Sequence, residues 1–496
     1  MHAQAAETDG RRRTPMAWGG VGLVAVAAAV VHLAVATRYG WHRDEFYYVI
    51  CGRHPAWGYV DQPPLTPLLA RAAAALPGGL LPLRLVAIAL QIGCVLLAAA
   101  LAAELGGRRR AQIIAAAAVA ACPVFVAASA IYGTAGTDQF VWLVVLVLVA
   151  RALRVGRTSA WALAGLAAGA GLLNKSTVAI LLIGICLGLI MFRRDPLSSK
   201  GPWLAAVIAV VVAIPNLVWD GVHGWPNLAM AKALSSAQGG ALGSVQQLPM
   251  LLVVLAGPLL VGLWIIGLRW LFSAAGREHR WIAVTPGAVV VLFTISGGKP
   301  YYAAPMLAAL YAAGAVRVEH AATERGRIGW PIALAASFVI AALVWLPVLP
   351  VRSANALRQI SPVLVETYGW PQFVDQVAVQ VADLPADVPI FTGNYGEAGA
   401  LSILGPARGF DRRVYSGHNN YALWGPPPGR PDTVLCVGRF KAGYLQRSWA
   451  QVRELSRITA PDGVDNQLTS GNTTISLCSQ PRGTWVELWP ELGHFD

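Results

Sequence analysis

The chain has 496 residues, of which 56% are hydrophobic and only 13% charged, and its mean hydropathy is +0.54. A soluble globular protein carries roughly 25% charged residues, so this composition excludes that class and describes a polytopic membrane protein. The net charge of +13 does not mark a nucleic-acid binder, because the positives flank apolar runs and form no binding stripe.

The first apolar run, Met16–Ala36, follows Arg11–Arg13 and ends with cleavage-site character at Ala34-Val35-Ala36. It is about 20 residues long, enough to span a bilayer, and further spans follow, so it reads as an uncleaved first helix and not as a signal peptide. Runs near the spanning length recur at 80–103, 111–131, 139–153, 160–173, 176–192, 202–218, 249–270, 281–296, 301–316 and 330–349, which predicts about eleven transmembrane helices.

Threaded from an inside amino terminus, the chain puts Arg11–Arg13, Arg108–Arg110, Arg151/Arg154/Arg157, Arg193/Arg194/Lys200, Arg269/Arg277/Arg280 and Arg317/Arg325/Arg327 on the cytoplasmic side. That is the positive-inside pattern of a multi-pass protein of the cytoplasmic membrane. Four of the five outer loops carry one Lys or Arg or none, the exceptions to emptiness being Lys175, Lys232 and Lys299. The remaining outer loop, 38–79, breaks the pattern. Its core, Gly40–Arg71, packs Asp44, Glu45, Asp61, His42, Arg43, Arg53 and His54 among Trp41, Trp57 and several tyrosines. Ionisable groups at a bilayer surface are costly unless they serve a site, so this loop is the candidate active site.

The same threading brings the turn Tyr132–Asp138, Lys175, the loop Trp219–Leu248 and Gly297–Pro300 to that outer face. A carboxylate there can take a proton from an attacking hydroxyl, and partial desolvation can tune it. The duller reading of Asp44-Glu45 is a solvated acidic turn paired with Arg43. For Thr137 or Asp138 it is a helix N-cap. Lysines at such positions suit a phosphate, which needs a compact positive charge, although snorkelling to headgroups competes for both. Arg84, near the start of the second helix, reads as a snorkeller or headgroup contact, and His223 in the 219–248 loop as a satisfied surface histidine beside Trp225. His42, His54, Asp44 and Glu45 could assemble a divalent metal site, but no tight ligand spacing supports one.

Beyond Pro350 no run can span, and charges, Asn and Gly-Pro turns become common. The chain therefore divides into a transmembrane part, 1–350, and a soluble α/β part outside the membrane, 351–496. Val388–Phe391, Thr433–Val437 and Thr473–Cys478 read as strands, Gly396–Leu404 and Lys441–Ile458 as helical, and Gly425–Gly429 as a loop. In Thr392–Gly399 the glycines fall at every third position, which is neither a dinucleotide fingerprint nor a P-loop, so it reads as a tight βα turn. Ser416–Tyr421 is a polar-aromatic loop with sugar-binding character. Cys436 and Cys478 could pair if this part is extracytoplasmic; Cys94, Cys122 and Cys186 lie in apolar runs.

An Asp-Glu pair in a first outer loop, a tyrosine-rich helix and then Asp61-Gln62-Pro63-Pro64-Leu65 resembles the dolichyl-phosphate-mannose protein mannosyltransferases and, more broadly, glycosyltransferase family 39 and the lipid A aminoarabinose transferases. The resemblance runs from about Trp18 to Tyr311. It implies the C-type glycosyltransferase fold and transfer of a sugar from a polyprenyl phosphate donor to an acceptor hydroxyl, without nucleotide. Asp44 would be the base of an inverting transfer, and Glu45 its support or a donor contact. Asp61, Asp138, His42, His54 and Tyr47 would line the sugar or acceptor pocket. Leu173-Asn174-Lys175-Ser176 resembles the family's Thr-Lys-Gly step, and Ser296–Tyr302 its basic-tyrosine segment. Lys299, Lys175, Tyr301, Tyr302 and an arginine of the first loop, Arg43 or Arg53, would meet the donor phosphate. The acceptor would be a glycan, lipid or protein of a bacterial cell envelope, with membrane lipid around the enzyme, no nucleic acid, no certain cofactor and a divalent metal left open. A transporter or flippase of lipid-linked saccharides is the alternative; it would put charges inside the spans and repeat its halves, whereas here the polar residues gather at one face and no repeat is evident.

Overall fold

Proline and glycine decide where the long apolar runs break. In this computed structural model, which describes residues 14–321, 324–429, 432–464, 466–469 and 472–495, each of the eleven runs is mainly helical, the third and eighth being broken within. The arginines at 11–13, and the side chains of Arg325 and Arg327, lie outside what is described. Trp18–Val35, Leu81–Glu104, Lys200–Val222 and Ile328–Trp345 are long and apolar enough to cross a membrane. The third run splits into Arg109–Ala121 and Pro123–Ala130, bent by 55°, because Pro123 lacks an N–H and forces Cys122 into extended backbone. Counting that pair and the pair Pro258–Phe272 and Arg277–Ile295 as spans brings the total among the described residues to six by length and composition. Thr158–Leu172 and Thr177–Phe192 are apolar but shorter.

Three expectations need correction. The 219–248 segment is not a loop: it forms helices Pro226–Ala237 and Gly240–Gln246, joined where Gly239 takes φ 79°. The fourth run starts at Thr134 and not near 139, and the tenth at Met306 after a short turn through 300–302. Lys441–Ile458 is only briefly helical, at Tyr444–Ser448, before strand β4.

The bundle has two polar ends. At one, Glu319 accepts from the backbone N–H groups of Arg108, Arg110 and Ala111, capping Arg109–Ala121, and Arg154 pairs with Glu104 at 2.7 Å. The other end carries the first loop, with helices Arg43–Arg53 and Leu65–Ala74. Here Leu65 N donates to Leu173 O at 2.8 Å, Thr66 Oγ1 to Asn174 Oδ1 at 2.7 Å, and Asn174 Nδ2 to Thr134 O at 3.1 Å. Asn216 and Asn227 donate to the carbonyls of Trp57 and Tyr59. Segments far apart in sequence are thereby tied to one end of the bundle.

Over that end sits a small α/β unit. Its strands are β1 (Ile390–Thr392), β2 (Val414–Ser416), β3 (Thr433–Gly438), β4 (Trp449–Arg457) and β5 (Thr474–Pro481), in the order β2-β1-β3-β5-β4. β1 runs parallel to β2 and β3; β5 is antiparallel to β3 and β4. Cys436 on β3 and Cys478 on β5 are bonded. The core of this unit includes a residue of the first loop: Phe46 is fully buried among Trp370, Phe373, Leu401, Leu435 and Ile475. Its ring meets Trp370 edge-on at 5.5 Å and stacks on Trp41 at 4.9 Å.

Candidate active site

Helix Arg43–Arg53 begins with a capping box. The His42 ring accepts from Asp44 N at 3.2 Å, while Glu45 Oε2 accepts from His42 N at 2.8 Å. Successive helical residues point about 100° apart, so the adjacent carboxylates face different surroundings.

Glu45 turns inward and is fully buried. Its oxygens accept from Tyr132 N at 2.8 Å and Arg84 Nη2 at 2.9 Å, and Arg84 Nε stands 2.8 Å from Oε1 as an ion pair. Arg84 is itself 3% exposed and also donates to the carbonyls of Ala130 and Gly40. Two expectations fall with this geometry. Arg84 is no snorkeller, because its guanidinium is spent on buried acceptors. Glu45 is bonded throughout by protein groups, so a donor cannot reach it without breaking a buried ion pair.

Asp44 turns toward the open side and keeps 32% of its side-chain exposure. Tyr395 Oη donates to its Oδ1 at 2.7 Å; His42 Nδ1 lies 3.6 Å from Oδ2, and Arg43 Nε 3.8 Å from Oδ1. Burial works to raise this carboxyl, but His42, Arg43, the Tyr395 hydroxyl and Lys299 outweigh it and hold it below its ordinary 3.8. Lys299 thus lies on the same end of the bundle as Asp44, within electrostatic reach.

Tyr395 is delivered by the turn Thr392–Gly399. Asn394 caps helix Tyr395–Leu404 in a second capping box with Glu397. The glycines at every third position have a packing cause: a Cβ on Gly396 would stand 2.6 Å from Arg43 Cβ, and one on Gly399 2.6 Å from Phe46 Cβ. They let this helix lie directly against Arg43–Arg53.

Beside Asp44, Tyr47 Oη donates to Asp61 Oδ1 at 3.1 Å, and Asn419 Nδ2 to Asp61 Oδ2 at 3.4 Å. Asn420 Oδ1 accepts from Val60 N at 2.7 Å. The loop Ser416–Tyr421 is therefore docked on the first loop, with Ser416, His418, Asn419 and Asn420 all buried. Burial, aided by the Asp44 charge, pushes the Asp61 carboxyl up to about 6 against the bonds it accepts. Tyr395 packs between Tyr47, at 4.6 Å, and His418, at 4.8 Å.

The lysine turn and the tyrosine turn also meet. Lys175 Nζ lies 4.1 Å from the centre of the Tyr302 ring and 5.4 Å from that of Tyr301. Tyr301 is within electrostatic reach of Asp44 and Tyr48. Asp138 is buried and accepts from Thr177 Oγ1 at 2.8 Å and Trp142 Nε1 at 3.0 Å, with Lys175 near. It is no N-cap, since its helix starts at Thr134 with Gly133 as the cap residue.

Arg53 and His54 do not join this cluster. Ten residues of helix, about 15 Å, separate Arg53 from Arg43, and His54 is exposed and stacks on Trp424 at 4.4 Å. His42 is 3% exposed and bonded on both ring nitrogens, so it stands behind Asp44 and lines no pocket. His223 is exposed and stacks on Trp219 at 4.1 Å. Among the described residues no group of three His, Cys, Asp or Glu side chains stands close enough to hold a metal ion. Sequence reasoning missed Tyr395 and Glu366, whose Oε2 is 3.1 Å from His42 Nε2. The helix cap at Asn394 was the one available signal for Tyr395; Glu366 carried none.

Residues 61–219, under half of the chain, match the family model described as dolichyl-phosphate-mannose-protein mannosyltransferase. The match begins at Asp61 and so leaves Asp44 and Glu45 outside it. No curated protein matches the chain in sequence. Among solved structures the chain is similar to ArnT from Cupriavidus metallidurans bound to undecaprenyl phosphate, with 15% identity and a TM-score of 0.62 over 93% of this chain and 98% of that one. The apo state of the same protein gives 0.61 at 15% identity, over 92% and 98%. The arabinofuranosyltransferase AftD from Mycobacteria gives 0.53 at 14% identity, over 95% of this chain and 41% of that one. The fold, a multi-helix membrane bundle of the C-type glycosyltransferase kind with a small sheet unit at its carboxyl end, is shared with ArnT.

Proposed function

We propose that this chain is a membrane glycosyltransferase that moves a sugar from a polyprenyl phosphate donor to an acceptor hydroxyl, with inversion at the anomeric carbon and Asp44 as general base. The observation that carries the reading is the joint setting of Asp44: a partly open carboxylate, kept ionised by its neighbours, on the same end of the bundle as Lys175, Lys299, Tyr301 and Tyr302. Ionised carboxylate and compact cations at one lipid-facing rim are what splitting a glycosyl phosphate needs. The family match over 61–219 and a fold shared with a protein solved with undecaprenyl phosphate support the lipid-linked donor.

In this mechanism the acceptor hydroxyl gives its proton to Asp44 as its oxygen attacks the anomeric carbon. The carbon–oxygen bond to phosphate breaks, and its electron pair leaves on the polyprenyl phosphate. Lys299 and Lys175 meet that charge, with Arg43 at the edge of the site. Asp61, Tyr47 and Asn419 border the place where sugar or acceptor hydroxyls would bind. The arginine-rich end faces the cytoplasm of a bacterial inner membrane, and the site with the unit beyond Pro350 faces outward; the Cys436–Cys478 bond supports an oxidising side. The acceptor belongs to the cell envelope: glycan, lipid or protein.

Purified protein in detergent, given a panel of radiolabelled polyprenyl phosphate pentoses and hexoses, tests this. Transfer or hydrolysis of label is expected, and Asp44→Asn abolishes it. Label that stays on its lipid with every donor, or activity untouched by Asp44→Asn, overturns the reading. Movement of intact sugar-lipid across liposomes that survives the substitution would make the protein a transporter.

A further inference from the structure

Glu366 follows the short helix Pro362–Val365 and reaches back to the first loop, 324 positions from the histidine it meets. Its Oε2 lies 3.1 Å from His42 Nε2 and 3.8 Å from Arg43 Nη2. His42 presents its other nitrogen to Asp44, accepting from the backbone N–H at 3.2 Å with Oδ2 at 3.6 Å. One imidazole, almost fully buried, thus bridges two carboxylates supplied by opposite ends of the chain. Burial of a polar ring is costly unless both nitrogens are engaged, and here both are. Arg43 and Asp44 face this ring from its own helix, Glu45 caps its backbone N–H, and Glu366 faces it from the carboxyl-terminal side.

Resting on the glycosyltransferase reading above, we infer that His42, held by Glu366, is the proton acceptor behind Asp44, so that the two act as a relay that resets the base after each transfer. While donor and acceptor occupy the open edge of Asp44, water cannot take the proton it has gained. The proton passes from Asp44 Oδ2 to His42 Nδ1, which gives up the Asp44 N–H bond as it does so. The resulting imidazolium lies between Glu366 and the regenerated Asp44 carboxylate, and its Nε2–H stays on Glu366. When products leave, the open edge of Asp44 meets water again and the proton departs. Glu366 plays the part that the orienting acid plays in a catalytic triad, fixing which nitrogen of the ring faces the base. It is a positioning residue and touches no substrate.

The test uses the full chain in detergent with the labelled polyprenyl phosphate sugar that supports activity. Asn is a good helix N-cap, so His42→Asn keeps the start of helix Arg43–Arg53 while removing the ring. Glu366→Gln keeps the shape and removes the charge. Both are expected to lower kcat by about 10-fold or more with donor KM within about twofold. Glu366→Gln also moves the acid limb of the pH–rate profile to lower pH, because a negative charge near Asp44 is gone, and Glu366→Asp restores part of the rate. Wild-type kcat and profile in both variants, in a preparation where Asp44→Asn is dead, overturn the relay. So does a loss of kcat that tracks a lower melting temperature with the pH profile unmoved. If Asp44→Asn itself stays active, the failure lies with the glycosyltransferase mechanism.

Discussion

The Tyr395 hydroxyl donates a 2.7 Å hydrogen bond to Asp44 Oδ1 across a sequence separation of 351 residues. Asp44 comes from the loop after the first helix, and Tyr395 from the turn that leaves β1. The carboxylate proposed to do the chemistry is therefore oriented from outside the bundle that carries it. A hydrogen bond to an ionised carboxylate is among the stronger ones a protein makes.

Removing that hydroxyl gives the first prediction. Tyr395→Phe keeps the ring packed against Tyr47 and His418 but takes away a bond that lowers the Asp44 carboxyl. The Asp44 pKa then rises, so the acid limb of kcat/KM against pH moves to higher pH by about one to two pH units, consistent with loss of about 1.5–3 kcal/mol for a charged hydrogen bond, while the rate near neutrality changes little because the carboxylate is still ionised there. A pH–rate profile checks it; an unmoved limb would remove Tyr395 from the site.

Lysine at the donor end gives the second. Lys175→Gln and Lys299→Gln are each expected to raise donor KM by about 10-fold, since a phosphate loses one compact positive partner. Lys299→Gln additionally moves the acid limb upward, because Lys299 helps keep Asp44 ionised. Lys175→Gln should leave that limb in place. Donor titrations at several pH values separate the two, and equal effects of both on the limb would contradict the geometry.

A third prediction concerns stability. Glu45→Gln or Arg84→Gln alone leaves an uncompensated buried charge and should cost about 3–5 kcal/mol. The double substitution, neutral on both sides, should recover a large part of that loss. Thermal melts of the four proteins in one detergent decide it: additive losses would mean that the two side chains do not depend on one another.

Much of the fold could be read from the residues because bilayer length and charge bias are one-dimensional signals. An apolar run of about 20 residues declares a helix wherever it falls. The breaks could not be read so easily. Pro123 bends a run that hydropathy sees as continuous, and the 219–248 stretch hides two helices because its apolar content is too low to register as a span. Within the site, Asp44 was visible by its company of charges and aromatics in a greasy chain. Of the two roles expected for Glu45, the donor contact could not be weighed from the residues, since only the third dimension reveals that its neighbour in space is Arg84. Glu366 gave no local sign and Tyr395 only the helix cap at Asn394 beside it, because the meaning of each depends on a contact more than 300 residues away.

Phe46 carries a consequence for biosynthesis. Its ring, on the first loop, meets Trp370 and is buried in the same cluster as Phe373, Leu435 and Ile475. A ribosome adds roughly 5–20 residues per second, so this phenylalanine would wait on the order of 15–60 s for Trp370 to emerge. During that interval the nascent first loop offers a bare aromatic surface to its surroundings. The proposed reaction centre is thus one of the earliest parts of the polypeptide to leave the ribosome and one of the last to be finished.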